Sequence, residues 1–231
     1  MCQHCEPAAN CAAANQTEVL DKHLGAPLTR KDLPNFKMGA YKVRTADGVE
    51  EEVALIYKGD IVNPGDDVDM LIRINSGCFT GDIFHDELCD CTWQLEEAFR
   101  MIRDHDGPGM VIYFFRHEGK SHGFLEKLRA FRDNMFPVDG DLRDFSPAVA
   151  ILKDLGIDRV TLMTNNPEKI AYLVDNGIAV TGTRRVIIQD EKLVDFLDFK
   201  ARSFGHFLPT KDDGSEGEDE DGTQSRKLAH A

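Results

Sequence analysis

S-P-A-V-A-I-L-K-D-L-G (146–156), R-V-T-L-M-T (159–164) and N-N-P-E-K-I-A-Y-L-V-D-N-G (165–177) follow one another and decide the fold class. The first run predicts a helix, with Ser146 as N-cap, Pro147 at the first helical position and Gly156 as the stop. The second is a short β-rich run and predicts a strand. The third predicts a helix begun by Asn166-Pro167 and ended by Asn176-Gly177. Helices alternating with strands argue for α/β layering, with helices flanking a sheet.

Working upstream, G-M-V-I-Y-F-F (109–115) predicts a buried strand. W-Q-L-E-E-A-F-R-M-I-R-D-H (93–105) carries a helical stripe of Leu95, Ala98, Phe99 and Ile102. H-E-G-K-S-H-G-F-L-E-K-L-R-A-F (117–131) predicts a glycine-bearing loop entering a helix. Farther back, Y-K-V-R-T, E-E-V-A-L-I-Y-K-G and D-M-L-I-R-I predict strands within 39–75, set antiparallel ahead of the α/β half. Downstream, I-A-V-T-G and R-R-V-I-I-Q-D predict short strands, and V-D-F-L-D-F-K-A-R-S-F-G-H (194–206) a last helix. The expected class is therefore α/β, a mixed sheet with flanking helices. A mobile leader is expected over residues 1–35, one domain over 36–209 and an acidic disordered tail over 210–231.

Composition narrows the functional classes. The net charge of −14 argues against a nucleic-acid backbone as partner. Part of that charge lies in D-D-G-S-E-G-E-D-E-D-G near the C-terminus, so the rest is milder. The apolar runs are too short for a membrane span, and the N-terminus does not read as a secretory signal. A cytoplasmic chain with reduced thiols and no membrane partner is expected.

Cys78, Cys89 and Cys91 lie in S-G-C-F-T-G-D-I-F-H-D-E-L-C-D-C-T-W-Q-L. Thiols so closely spaced in a reducing compartment point to a metal, and zinc is the metal that thiolates favour. Three ligands leave a position open for catalysis. A structural zinc with a fourth ligand elsewhere, or buried thiols without metal, are the bland alternatives. His85 is a candidate fourth ligand or a solvated loop residue, and Asp82 a ligand orienter or a helix cap. Cys2, Cys5 and Cys11, with His4, read as a leader more than as a second site. Glu118-Gly119-Lys120 and Thr164-Asn165-Asn166-Pro167 are strand-to-helix junctions, where free N–H groups and the helix dipole favour phosphate; Lys120 and Lys169 stand beside them.

Taken in order, R-I-N-S-G-C-F-T-G-D (73–82), C-D-C-T-W-Q-L (89–95), E-G-K-S-H-G-F (118–124), D-L-R-D-F (141–145) and M-T-N-N-P-E-K (163–169) resemble the GTP cyclohydrolase II family. The resemblance runs over residues 39–208, and the chain is identified as a divergent member. It implies zinc-dependent hydrolysis at C8 of the GTP ring, with release of formate and pyrophosphate to open riboflavin synthesis. One zinc per chain would be held by Cys78, Cys89 and Cys91, and Mg²⁺ would come with the substrate phosphates. The resemblance also implies a homodimer. Arg143 would be the nucleophile toward the α-phosphate and Asp141 the proton acceptor. Because an arginine side chain is ordinarily a cation, a bidentate phosphate clamp is the alternative role. Arg73, Asn75, Ser76, Gln94, Glu118, Gly119, Lys120, Thr164 and Lys169 match nucleotide-contacting positions.

Several positions depart from the family pattern. Its R-V-H-S-E-C has Asn75 and Gly77 here, the arginine of E-G-R is Lys120, the isoleucine beyond it is His122, and a catalytic tyrosine is Phe131. The stretch before D-L-R-D-F is also shorter. These changes surround the base, which keeps two further readings open. One is a homologue opening a pyrimidine nucleotide of the UTP type, as in uracil breakdown. The other is an inactive nucleotide-binding homologue.

Overall fold

The structure is a computed structural model, and it describes residues 17–65, 67–133 and 140–186. The expected strand at R-R-V-I-I-Q-D falls largely outside these residues. So do the helix over 194–206, the acidic tail, and Cys2, His4, Cys5 and Cys11.

Seven strands form one sheet: β1 (Glu18–Pro27), β2 (Phe36–Arg44), β3 (Glu50–Lys58), β4 (Leu71–Ser76), β5 (Gly109–Phe114), β6 (Arg159–Met163) and β7 (Ala179–Arg184). Their spatial order is β1-β2-β3-β5-β4-β6-β7. β1, β2, β3 and β5 pair antiparallel, whereas β5, β4, β6 and β7 pair parallel. Between β4 and β5 lie α1 (Phe79–Phe84) and α2 (Cys91–Asp104). A 3-10 turn (Phe115–Ser121), α3 (Phe124–Arg132) and α4 (Ser146–Asp154) then lead to β6, and α5 (Pro167–Asp175) joins β6 to β7. The sheet is mixed, with helices on both faces, as the sequence predicts.

The inner parallel strands β4, β5 and β6 are covered on both sides, so their sequences are nearly continuous apolar runs. On one face Ile72, Ile74, Met110 and Ile112 pack against Ile151 and Leu152 of α4 and Leu173 of α5. On the other, Leu71, Val111 and Met163 meet Ala98, Phe99 and Ile102 of α2. Each fully buried side chain of this kind stabilises the fold by about 1.5–3 kcal/mol. Arg73 and Asn75 break the run in the middle of β4, both buried, on the face toward α2. Polar groups at core positions of a central strand mark where the fold serves something other than packing.

The start of the sheet differs from expectation. β1 lies inside the stretch expected to be a leader, and pairs with β2 from Glu18↔Arg44 to Pro27↔Lys37. E-V-L-D-K-H-L-G-A-P carries few β-branched residues and two register shifts, so no alternation announces it. The cap of α4 also shifts. Phe145 holds the N-cap position, and the Asp144 carboxylate accepts from Ser146 N at 2.8 Å and Ser146 Oγ at 2.7 Å.

From β4 the chain moves to β5 on one side, while β6 lies on the other. The carboxyl ends of β4 and β6 therefore flank the place where the connections diverge, where open α/β sheets form their ligand crevice.

Candidate active site

β4 runs out into Asn75, Ser76, Gly77 and Cys78, and Cys78 is the N-cap of α1. α2 begins at Cys91 with Asp90 before it. The two helix starts bring the Cys78, Cys89 and Cys91 sulfurs within 4.8 Å of one another, with Cys78 Sγ and Cys89 Sγ 3.7 Å apart. Tetrahedral zinc with bonds of about 2.3 Å places its sulfur ligands about 3.8 Å apart, so the cluster fits that ion. Among the described residues no histidine or carboxylate joins the group, and His85 is not part of it. Gly81 makes the close approach possible, since a Cβ there would lie 3.0 Å from Cys91 Cβ and 3.1 Å from the Cys78 and Cys89 sulfurs.

Lys127 reaches this cluster from α3. Its Nζ lies 3.0 Å from Cys78 Sγ and 2.8 Å from Glu118 Oε1, and Glu118 also accepts from the Phe79 N–H. Burial works against the Lys127 charge, but hydrogen bonds to Glu118 and Cys78 outweigh it and hold its pKa above the ordinary value. Hydrogen bonds from Cys89 and Cys91, with Lys127 adding to them, push the Cys78 pKa down. Asp82 Oδ2 accepts from Cys78 N at 2.9 Å and from Tyr113 Oη at 2.7 Å. It therefore orients the ligand loop and caps it from within α1. Tyr113 fills the space beside Gly77, where an added Cβ would lie 2.7 Å from Phe114 O and 3.0 Å from Tyr113 Oη. Beyond Cys78 an apolar cleft of about 490 Å³ opens between Ile56, Leu95, Phe99 and Phe115, with Asp82 and Glu118 at its polar end.

The expected nucleotide-contacting residues collect at the same strand ends. Arg73 donates to Gln94 Oε1 at 2.5 Å and to Asn75 Oδ1 at 3.4 Å, and Gln94 donates on to Asp90. Burial pulls the Arg73 pKa down, opposed by Asp90, Cys91 and Asp82. Lys169 donates to Ile74 O at 2.9 Å and stands 5.1 Å from the Phe145 ring centre. Thr164 Oγ1 accepts from Asn166 N at 3.0 Å, and Asn166 caps α5 by accepting from Glu168 N at 2.9 Å.

Glu118, Gly119 and Lys120 form the turn after β5. Gly119, Lys120 and Ser121 have φ of 56°, 55° and 68°, a run of left-handed residues that is costly for the last two. The turn is pinned to the D-L-R-D-F segment by Leu142 N donating to Lys120 O at 3.1 Å. Arg143 Nε donates to Asp141 Oδ1 at 2.8 Å, Nη2 bonds Asp141 Oδ2, and Nη1 donates to Ser76 Oγ at 3.2 Å. Burial alone would raise the Asp141 pKa, but Arg143 overrides it and holds the carboxylate below its ordinary value.

The structure thus gathers the expected site residues along β4 and at the ends of β5 and β6, with Gln94 reaching in from α2. It adds Lys127, His117 and Tyr113, which sequence reading passed over. Lys127 was findable, because it falls on the apolar stripe Phe124, Lys127, Leu128, Phe131 of α3, where a charge needs a buried partner. His117 and Tyr113 gave no such signal.

Fold and site together define a mixed-sheet α/β domain with a three-thiol cluster able to hold a metal, set near Arg73, Arg143 and Lys169. The chain belongs to the GTP cyclohydrolase II family, whose sequence profile matches residues 22–185. It is 32% identical over 202 residues to "GTP cyclohydrolase-2" of Archaeoglobus fulgidus, covering 83% of this chain and 51% of that protein. It is 34% identical over 186 residues to "Riboflavin biosynthesis protein RibBA" of Staphylococcus saprophyticus, covering 75% of this chain and 44% of that protein. With the protein of the same name from Bacillus mycoides it shares 39% identity over 174 residues, 69% of this chain and 42% of that one. The chain spans about half the length of the curated relatives it matches. Among the described residues no helix is long and apolar enough to cross a membrane.

Proposed function

We propose that this chain is a zinc-dependent hydrolase that opens a ring C–N bond of a nucleoside triphosphate, with GTP as substrate and formate and pyrophosphate as products. The carrying observation is that a three-thiol cluster and a group of cations meet at the end of one strand. Ser76, which Arg143 grips, is two residues from Cys78. Zinc held by Cys78, Cys89 and Cys91 would supply a Lewis acid able to lower the pKa of a water beside the base. Lys127 donates to the Cys78 sulfur, which favours its thiolate form, and Glu118 balances the Lys127 charge. Arg73, Asn75 and Gln94 form a hydrogen-bonded set that can face a base edge.

Arg143, Lys120 and Lys169 serve the triphosphate, with Mg²⁺ held partly by the phosphates themselves. We assign Arg143 the role of clamp. Asp141 takes its Nε and one Nη2 hydrogen, Ser76 takes one Nη1 hydrogen, and among the described residues a remaining N–H on each terminal nitrogen is left for phosphate oxygens. Asp141, held below its ordinary pKa by Arg143, would take the proton from the water that attacks the α-phosphorus as pyrophosphate leaves. The homodimer that the resemblance implies, and a cytoplasmic setting that keeps the thiols reduced, belong to the same proposal.

The test is formate and pyrophosphate release by the zinc-loaded protein from GTP, UTP and CTP side by side. Both products from GTP support the reading, and no turnover of any of the three overturns it in favour of a nucleotide-binding homologue. Arg143→Ala should cut pyrophosphate release about a hundredfold or more. A second reading, a pyrimidine triphosphate as substrate, is favoured by Gly77, whose side-chain space Tyr113 occupies. Turnover of UTP or CTP without GTP would select it.

A further inference from the structure

His117 has no role in the reading above, yet it is buried among site residues. Its ring stacks on Phe114, with centroids 4.2 Å apart and planes within 7°, and meets Phe145 edge-on at 5.3 Å. Nδ1 lies 3.1 Å from Ser76 Oγ, and Nε2 lies 3.1 Å from the backbone oxygen of Asp144. Ser76 Oγ is in turn 3.2 Å from Arg143 Nη1.

The two ends of this chain of contacts determine every proton in it. A guanidinium has donors only, so Ser76 Oγ accepts from Arg143. A carbonyl oxygen accepts only, so His117 Nε2 carries the hydrogen that it receives. In a neutral ring Nδ1 is then bare and takes the single hydroxyl hydrogen of Ser76. The opposite tautomer would aim the bare Nε2 lone pair at the Asp144 carbonyl oxygen, acceptor against acceptor. Burial, with Lys169 and Arg143 adding to it, pushes the His117 pKa down to about 3, so the ring is neutral at physiological pH.

We propose that His117 is a positioning residue for Arg143. Through Ser76 it aims the lone pair that holds one edge of the guanidinium, while Asp141 holds the other. The inference rests on the reading of Arg143 as the phosphate clamp, and predicts that Arg143 pivots on Asp141 when His117 is removed. Glutamine can stand in for the imidazole, since its amide oxygen accepts from Ser76 and its N–H donates to Asp144 O.

The first measurement is nitrogen-15 NMR of the full zinc-loaded chain without nucleotide. The neutral Nε2–H tautomer of His117 is expected, and the arginine side-chain signals of Arg143 should shift in His117→Leu but keep their wild-type positions in His117→Gln. A Nδ1–H tautomer, or equal shifts in both variants, overturns the proposal whatever the substrate proves to be. The second is pyrophosphate release. His117→Leu should lose about tenfold to a hundredfold in kcat with KM little changed, and His117→Gln should recover most of it. In a Ser76→Ala background His117→Leu should cost nothing further, because the path to Arg143 is already cut. Additive losses, or equal losses in the two His117 variants, overturn the proposal. Should His117→Leu not fold, the tautomer and the His117→Gln kinetics still decide. Absence of pyrophosphate from wild-type protein defeats the functional reading alone, because the tautomer and Arg143 signals are read without substrate.

Discussion

Lys127 is 2% exposed, and a lone ammonium at that depth would lose its charge or unfold its surroundings. It keeps the charge because Glu118 and the Cys78 sulfur lie within 3.0 Å of Nζ. Lys127→Met removes one partner and leaves the half-buried Glu118 carboxylate without that counter-ion. A loss of about 3 kcal/mol in urea unfolding is expected, with faster release of zinc to a chelator. Unchanged unfolding and zinc retention would mean that the pair is dispensable. Gly81 acts on the same cluster by absence. An alanine methyl group there would press on three cysteines at once, at 3.0–3.1 Å. Gly81→Ala should weaken zinc binding about tenfold in chelator competition while the helix itself remains formed. Affinity equal to wild type would show that the cysteine loop yields freely.

At the scale of elements, what was legible depended on how much of each segment's pattern was local. α2, α4 and α5 carry their own stripes and breakers, and β3 and β5 their own apolar runs, so all five were readable. β1 was not. Only Val19 and Leu24 of it pack on the core, and its place is set by β2. Gly39 is the contact point between the two strands, where an added Cβ would stand 2.6 Å from Leu24 Cδ2 and 2.8 Å from His23 O. A backbone oxygen cannot move aside as a side chain can. Gly39→Val should therefore peel β1 from the sheet at a cost of about 1–3 kcal/mol. Hydrogen exchange would read this as lost protection in Glu18–Pro27 and in the β2 amides that donate to it, with β3 and β5 unchanged. Retained protection across β1 would contradict the steric argument.

At the scale of the molecule, the site is assembled from distant segments, and that explains how far sequence reading went. The cysteines announced themselves by spacing, whereas the joining of Ser76 to Arg143 through β4 and the D-L-R-D-F loop depends on strand order. That order, with β4 between β5 and β6, is a property of the sheet and not of any segment. The same long-range logic ties the outer strands to the helical layer. Asp154 ends α4, where the helix dipole disfavours an anion. It accepts from Lys22 Nζ of β1 and from Tyr41 Oη of β2, both at 2.7 Å. Burial would raise its pKa, but those two hydrogen bonds outweigh burial and hold it below the ordinary 3.8. A carboxylate depressed in the folded state contributes stability above its unfolded pKa and loses it as pH falls through the folded value. Asp154→Asn should therefore unfold at lower urea than wild type from neutral pH down to about pH 4, by no more than about 1 kcal/mol for so exposed a pair. Below that the gap should close, because the wild-type carboxylate is protonated as well. A gap that persisted at the acid end would assign the loss to packing of α4 against β2 and not to charge.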